Sequence, residues 1–214
     1  MATGHDIYYY KMTADTGFAP CVDGHRLLTL ATCKPGIRKF AVPDDTIIGF
    51  SSNSDGARLI YTAKVTRKLS DGDYFKDHEY AKRLDCIYEN RAGRAVLRPG
   101  INIPGHNTQA DIERDVGTKF GHGHVLLSDQ GDFRYFGKDG TEDYAKRFPR
   151  LAEAVQACTQ GYRISHAPEV HRDLLNLVAW LWETYGPGVR GKPTKPLRGN
   201  CGGCGAARPR SCRS

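Results

Sequence analysis

The sequence of 214 residues predicts an α+β fold, in which a curled sheet or small β-barrel is followed by C-terminal helices. Three observations support this fold class. Runs of β-branched and aromatic residues dominate the chain up to about residue 136, apolar residues recur at helical spacing only after residue 141, and strand and helix patterns do not alternate. Because a parallel βαβ sheet requires such alternation, that architecture is excluded.

Four strands are predicted in the first third of the chain. Residues 6–12 and 27–32 are rich in β-branched, aromatic or leucine side chains and contain no Gly or Pro. Residues 46–50 and 58–66 are joined by a polar segment that contains glycine, which predicts a hairpin. Because strand side chains alternate, one face of the last run is expected in the core and the other mostly in water. The residues expected on its buried face are Leu59, Tyr61, Ala63 and Val65.

The middle of the chain has weaker patterns. Residues 71–84 mix acidic and aromatic side chains and predict a short helix. Residues 90–123 are rich in Gly, Pro and His, so this stretch is predicted to be mostly irregular. Residues 124–128 and 132–136 predict a second hairpin around a short turn.

The C-terminal part of the chain consists of predicted helices followed by a tail. Helical spacing of apolar residues predicts helices near residues 151–158 and 170–185. Residues 1–186 are therefore expected to form one domain. Residues 187–214 are rich in Gly and Pro and carry few apolar side chains, which predicts a disordered basic tail.

The positive charge lies at one end of the chain. The net charge of +7 comes from 31 Lys+Arg against 24 Asp+Glu. Residues 186–214 hold seven basic residues and no acidic one, so the rest of the chain is neutral. Non-specific affinity for nucleic acid is therefore expected from the tail or from a local patch.

Several classes of protein are excluded by what the sequence lacks. It contains no glycine-rich loop for a nucleoside triphosphate or a dinucleotide, so no cofactor is expected. It has no apolar stretch long enough to cross a membrane and no secretory leader pattern at its first residues. An odd number of cysteines, seven, fits free thiols in a reducing compartment, which predicts a cytoplasmic protein.

Two groups of metal-ligand residue types occur, but neither predicts a metal site. The histidine group has no further ligand at a fixed spacing, and the cysteine group has only half of a zinc-ribbon pattern. The first comprises His122 and His124 with His106, Asp111 and Asp115, and the second comprises Cys201, Cys204 and Cys212.

The densest candidate chemistry lies between Asp15 and Arg38. Lys34 and Arg38 together are suited to holding a phosphate, and Cys33 beside these cations would have its thiolate favoured. The alternative for Cys33 is a small buried hydrophobic residue at the end of a strand. Thr29 is a further candidate, as a partner of a reactive group.

Aromatic side chains accompany these residues along the predicted strands. They either stack a base, at about 1–3 kcal/mol per base, or fill the core. The sequence does not separate these two interpretations. The aromatic candidates are Tyr10, Phe18, Tyr61 and Tyr135.

Several separated blocks of the sequence resemble the nucleotide modification associated domain 2 family over about residues 7 to 182. The blocks are Asp15-x-Gly-Phe-Ala-Pro20, Leu28-Thr-Leu-Ala-Thr-Cys-Lys-Pro-x-Ile-Arg38, Asp45-x-Ile-Ile-Gly49, Leu59-Ile-Tyr-x-Ala-Lys-Val-Thr66, and Val125-Leu-Leu-Ser128 to Phe133-x-Tyr-Phe-Gly137. The resemblance implies an association with DNA base modification in phage and bacteria. The order of loop and hairpin is also similar to the PUA-like group of ASCH, EVE and YTH domains, which implies a small barrel that holds a nucleobase in an aromatic cleft.

The leading hypothesis is recognition of a nucleobase or nucleotide, especially a modified one, in DNA modification or its detection. The aromatic candidates would stack the base, Lys34 and Arg38 would hold phosphate, and Asp15 would bind a base edge. This hypothesis predicts that Asp15, Lys34 and Arg38 line one pocket with Tyr10 or Tyr61. The expected partners are a nucleobase, a nucleotide or DNA, with no membrane and an undetermined oligomeric state.

Two other classes of function are compatible with the same residues. A small enzyme of amidohydrolase or transferase type would use Cys33 or Lys34 as nucleophile or base, Thr29 as its partner and Asp15 for proton transfer. A protein-interaction module is the third hypothesis.

Overall fold

The computed structural model describes residues 5–24, 26–159 and 161–197, and these residues form an α+β fold, as predicted. The strands are β1 (Ile7–Met12), β2 (Leu27–Leu30), β3 (Thr46–Ser51), β4 (Leu59–Lys64), β5 (Arg67–Leu69), β6 (Tyr88–Arg91), β7 (Arg94–Leu97), β8 (Val125–Asp129), β9 (Phe133–Tyr135), β10 (Tyr162–Arg163) and β11 (Gly188–Val189). The helices are α1 (Pro35–Phe40), α2 (Asp73–Lys76), α3 (Gln109–Asp115), α4 (Asp143–Arg147), α5 (Pro149–Ala157) and α6 (Pro168–Thr184).

The strands form one large sheet, one small sheet and a separate hairpin. The large sheet has six strands in the order β10-β1-β3-β4-β9-β11, the small sheet has the order β2-β8-β5, and β6 pairs with β7. Strands β1 and β3 are parallel, whereas β3-β4 and β4-β9 are antiparallel. Neither sheet closes on itself within the described residues, so the predicted small barrel is not present there.

Helices α5 and α6 cover one face of the large sheet. Five of the apolar residues at helical spacing, Leu151 and Val155 of α5 and Leu174, Leu177 and Leu181 of α6, are fully buried, which confirms the helices predicted from that spacing. They pack against alternate side chains of β1, β3 and β4, and the residues of this layer include Tyr9, Phe50, Leu59, Leu151, Val155, Leu174, Leu177 and Leu181.

The opposite face of the large sheet packs against the small sheet and α1. This layer includes Tyr10 and Tyr61 from the large sheet, Leu28 and Leu126 from the small sheet, and Ile37 from α1. The other side of the small sheet carries a further apolar cluster, which we call the outer cluster. Its residues include Phe18, Tyr74, Phe75, Tyr88, Ile112, Val116, Phe120 and Leu127.

Strand β4 differs from its prediction because both of its faces are buried. Ile60 and Thr62, expected in water, are 1% and 0% exposed. The cause is tertiary: β4 is an inner strand, between β3 and β9, and the layers described above cover the sheet on both sides.

Three further predictions of secondary structure were wrong in part. Strands β8 and β9 both exist, but β8 pairs with β2 and β5 while β9 pairs with β4, so they do not form a hairpin. Residues 90–123 contain strand β7, the end of β6 and helix α3. The helix predicted over residues 71–84 is the single short helix α2.

Residues 187–197 pack along the large sheet, and we call this segment the strap. Strand β11 pairs in parallel with β9, the backbone N–H of Thr194 donates to Asp15 Oδ2 at 3.0 Å, and Leu197 contacts the outer cluster. The disorder predicted from residue 187 therefore does not hold for the strap. Residues 198–214, with Cys201, Cys204 and Cys212, lie outside the described residues.

No helix in the described part of the chain has the length and apolar character that crossing a membrane requires.

Candidate functional site

The turn between β2 and α1 holds Cys33 and Lys34 in an unusual backbone conformation. Both residues lie in the left-handed region, with φ of 55° for Cys33 and 42° for Lys34. Such conformations cost about 1–3 kcal/mol each for side chains of this kind and persist where the surrounding structure imposes them. Both side chains are half-buried. The end of a buried strand therefore presents a thiol at a strained turn.

The Cys33 thiol faces a histidine–aspartate pair. Sγ of Cys33 lies 3.6 Å from Nε2 of His106, and Nδ1 of His106 lies 2.5 Å from Oδ2 of Asp115. His106 is 7% exposed and Asp115 is fully buried. A thiol, an imidazole and a carboxylate thus follow one another at contact distances, in the same order as the groups of a cysteine–histidine–aspartate triad.

The charge on His106 is set by opposing effects. Burial lowers the pKa of His106, but its hydrogen bonds to Asp115 and Cys33 outweigh burial and raise the pKa to about 9. At neutral pH the imidazole is therefore protonated, with one N–H toward the carboxylate and the other toward the sulfur. A cation at this position stabilises negative charge on the sulfur.

Neighbouring side chains fix Asp115 in the site. The hydroxyl of Tyr88 donates to Asp115 Oδ2 at 2.8 Å, and Nε of Arg114 lies 3.5 Å from Asp115 Oδ1. Arg114 also donates from Nη2 to the carbonyl of Gly105 at 2.6 Å, next to His106. The guanidinium therefore connects the loop that carries His106 with the helix that ends at Asp115.

Helix α3 begins at a capping box that orders the same loop. The hydroxyl of Thr108 accepts a hydrogen bond from the backbone N–H of Asp111, and the Asp111 carboxylate accepts one from the backbone N–H of Thr108. Such a cap satisfies N–H groups at the start of the helix. His106 lies just before this cap, and Asp115 is the last residue of the helix, so both sides of the pair are attached to α3.

Arg38 is a structural residue in this arrangement, which corrects its prediction as a phosphate ligand. Its side chain is fully buried, and it donates to the backbone carbonyls of Cys33 at 2.7 Å, Asp115 at 2.6 Å, His124 at 2.7 Å and His122 at 3.3 Å. Burial lowers its pKa to about 10, although Asp115 raises it, so the group is charged at neutral pH. Because the guanidinium is fully buried and each of its nitrogen atoms donates to a backbone carbonyl, Arg38 is not exposed to a ligand in the cavity.

A cavity of about 490 Å³ opens beside the triad. Its walls include Lys34, Arg114 and Tyr162 in addition to the triad residues. The ammonium of Lys34 lies 4.5 Å from the centre of the Tyr10 ring and donates to the carbonyl of Lys11 at 3.3 Å. Burial lowers the pKa of Lys34. Lys34 therefore lines the cavity together with Cys33, whereas Asp15, Arg38, Tyr10 and Tyr61, which were predicted to share a pocket with Lys34, are not among the residues that line it.

Asp15 and Thr29 lie in other polar clusters and do not line this cavity. Asp15 accepts a hydrogen bond from the Tyr135 hydroxyl at 2.6 Å and is held by the strap. Thr29 donates to Asp85 at 2.5 Å and accepts from Arg83 at 3.1 Å, in a buried cluster. The predicted convergence of Asp15 with Lys34 at one pocket is therefore wrong for this structure, and Thr29 does not contact Cys33.

The predicted stacking aromatics are packed in the interior. Tyr10, Tyr61, Tyr135 and Phe18 are between 0% and 3% exposed. The hydroxyls of Tyr10 and Tyr61 are 3.0 Å apart, and the ring of Phe18 lies edge-on to His106 with centroids 5.0 Å apart. Because their faces contact other side chains, these rings do not offer a stacking surface, and Phe18 instead positions His106.

The contacts that join Cys33, His106 and Asp115 were not predicted from the sequence, in which His106 and Asp115 were considered only as metal-ligand residue types. His106 is 73 residues from Cys33 along the chain, and no spacing rule joins them. The other histidines have different contacts, since His124 Nδ1 lies 3.1 Å from the Ser70 hydroxyl. Within the described residues no cluster of three or more His, Cys, Asp or Glu side chains is arranged to hold a metal.

The family model described as nucleotide modification associated domain 2 matches residues 4–198. No curated protein and no solved structure matches the chain.

Proposed function

The chain belongs to the nucleotide modification associated domain 2 family, and on that premise we propose that it is an enzyme of nucleotide or DNA modification in which Cys33 is the nucleophile. The proposal rests on two consecutive contacts: Cys33 Sγ with His106 Nε2, and His106 Nδ1 with Asp115 Oδ2. The substrate is a nucleobase or nucleotide with an electrophilic carbon that bears an amine leaving group, and the enzyme is of the amidohydrolase or transferase type.

The reaction proceeds in two steps. In the first, the Cys33 sulfur forms a bond to the electrophilic carbon, and the bond from that carbon to nitrogen breaks. His106 donates the Nε2 proton to the departing amine. In the second, water, or another acceptor in a transferase, attacks the thioester-like carbon, gives its proton to His106 and releases the Cys33 thiolate. Asp115 keeps the imidazole oriented through both steps, as the third member of a triad does.

The geometry favours an enzyme over recognition alone. The recognition hypothesis depends on accessible aromatic rings, and the rings it names are in the core. It also depends on Arg38 for phosphate, and the Arg38 donors bind backbone carbonyls. Of the two phosphate ligands that the recognition hypothesis names, Lys34 lines the cavity and Arg38 does not. Lys34 at that position is as compatible with the substrate site of an enzyme as with a recognition site.

Alkylation of Cys33 by iodoacetamide tests the nucleophile. The rate is measured by mass spectrometry of the tryptic peptide 27–38, because this peptide contains Cys33 and no other cysteine. The wild type is expected to react at neutral pH about ten-fold faster than His106→Asn, since the variant removes the cation beside the sulfur. His78→Asn, a change at an exposed histidine, is the matched control and should react like the wild type. Equal rates in the wild type and His106→Asn would contradict the proposal.

Turnover is tested separately with a panel of modified nucleosides and nucleotides. Product formation is expected in the wild type and absent in Cys33→Ala, with the variant still folded by circular dichroism. Turnover that persists in Cys33→Ala would exclude Cys33 as nucleophile.

A further inference from the structure

We infer that the cavity beside Cys33 binds a free nucleoside monophosphate, with its base against the ring of Tyr162 and its phosphate at the ammonium of Lys34. This inference rests on the proposed function, because it names the substrate class of the same site. Three further observations support it: the size and lining residues of the cavity, the positive charge of those residues, and the N–H donors of Lys34 that make no hydrogen bond within the described residues.

The size and walls of the cavity fit a ligand with a flat ring. A volume of about 490 Å³ falls in the range of small-molecule sites. Tyr162 is half-buried and is the aromatic residue among the lining side chains of the described chain. Its ring lies against Gly36, where an added Cβ would be 2.6 Å from Tyr162 Cε1. The absence of a side chain at Gly36 lets Tyr162 approach the start of α1 closely, and both residues line the cavity.

The cavity carries an excess of positive charge. Lys34, Arg114 and protonated His106 line it, against the single carboxylate of Asp115. Arg114 contributes charge but few free donors, because its Nη atoms bind Asp111 at 2.7 Å and the Gly105 carbonyl at 2.6 Å. Even with Cys33 as a thiolate, an anionic ligand would be attracted to this site.

Lys34 has the donors that a phosphate needs. Its ammonium makes one hydrogen bond, to the Lys11 carbonyl, and forms no salt bridge within the described residues. An ammonium group has more N–H donors than this single contact uses. A half-buried cation without a carboxylate partner gains more from an incoming phosphate than a solvated one does, since water screens it less. Lys34 is therefore the residue that distinguishes a nucleotide from its nucleoside.

Calorimetric titration of the full chain tests the inference. The ligands are the common nucleoside 5′-monophosphates, the matching nucleosides and inorganic phosphate. At least one monophosphate is expected to bind about ten-fold more tightly than its nucleoside, a difference of about 1.4 kcal/mol. Lys34→Gln should remove that difference, while Lys39→Gln, the same change at an exposed residue of α1, should keep it.

The role of Tyr162 has a separate readout. Tyr162→Ala should weaken monophosphate and nucleoside binding alike, by about ten-fold, because stacking acts on the base. Tyr162→Phe keeps the ring and should retain the affinity. If Lys34→Gln does not fold, the salt dependence of the wild type replaces it, since the preference for the monophosphate should fall as salt rises.

Three results would overturn the inference. These are equal affinity for monophosphate and nucleoside, no binding of any monophosphate at millimolar concentration, and binding only to a single-stranded oligonucleotide. The alkylation of Cys33 measured on the same preparation separates this inference from the proposed function. A reactive Cys33 without nucleotide binding contradicts the substrate class alone, whereas nucleotide binding beside an unreactive Cys33 contradicts the enzyme and supports the binding site.

Discussion

Cys33 Sγ and His106 Nε2 lie 3.6 Å apart although 73 residues separate them along the chain. The contact joins the turn after β2 to the loop before α3. Arg38 fixes the distance between these two parts, because it binds the carbonyl of Cys33 and that of Asp115 with the same guanidinium. The thiol is thus placed by the fold and not by any local motif.

Arg38→Ala is expected to lower the free energy of unfolding by about 3 kcal/mol or more, because it leaves several buried carbonyls without a donor. Chemical denaturation measures the effect. Arg26→Ala, at an exposed arginine, is the control and should change stability little. A stable Arg38→Ala protein with weakened ligand binding would restore Arg38 as a ligand residue.

The His106 interaction makes stability depend on pH in a defined direction. The pKa of His106 is raised from 6.5 to about 9 in the fold, so the protonated form stabilises the folded state. This contribution is fully present below about pH 6.5 and is lost as pH rises through about 9. The difference in Tm between the wild type and His106→Asn should therefore shrink between about pH 6 and pH 10. A difference that is constant with pH would show that the fold does not raise the pKa of His106.

The strap makes a prediction about truncation. Deleting residues 187–214 removes β11 and the hydrogen bonds of Thr194 and Lys195 to Asp15, and is expected to lower the Tm. Deleting residues 198–214 alone removes none of these contacts and should leave the Tm unchanged. The two truncations serve as a matched pair in thermal denaturation. Equal Tm values for both would mean that the strap contributes no stability.

Lys34 and Cys33 have separable roles in the proposed enzyme. Lys34→Arg keeps a cation at the cavity and should retain much of the affinity for nucleotide, whereas Cys33→Ala should lose turnover and keep binding. Kinetic assays and titration on the same variants check both. Turnover lost in Lys34→Arg with binding intact would assign the reactive group to the Lys34 amine, because Arg does not lose its proton at working pH.

Much of the secondary structure and one part of the site were predictable from local chemistry. The runs of β-branched and aromatic residues predicted β1 to β4, and the spacing of Leu174, Leu177 and Leu181 predicted α6, because these patterns require only that one face be buried. The pairing of β8 with β2 was not predictable from the sequence. A strand shows the same alternation of apolar and polar residues whether it pairs with the next strand in a hairpin or with a strand that is distant along the chain. Cys33 and Lys34 were singled out by their types and their position at a turn.

The sequence by itself therefore determined the α+β class, the concentration of positive charge near the C-terminus and the candidate thiol and ammonium after β2. Only the tertiary structure decided which of the candidate site residues contact one another. Tyr10, Tyr61 and Arg38 are residue types that are common in nucleotide sites, but in the fold they are buried between layers. The two tyrosines therefore belong to the core, and Arg38 binds backbone carbonyls. His106 and Asp115 became the partners of Cys33 because α3 and its loop fold back against the turn. Contacts between distant segments depend on how the layers pack, and local side-chain patterns along the chain do not reveal that packing.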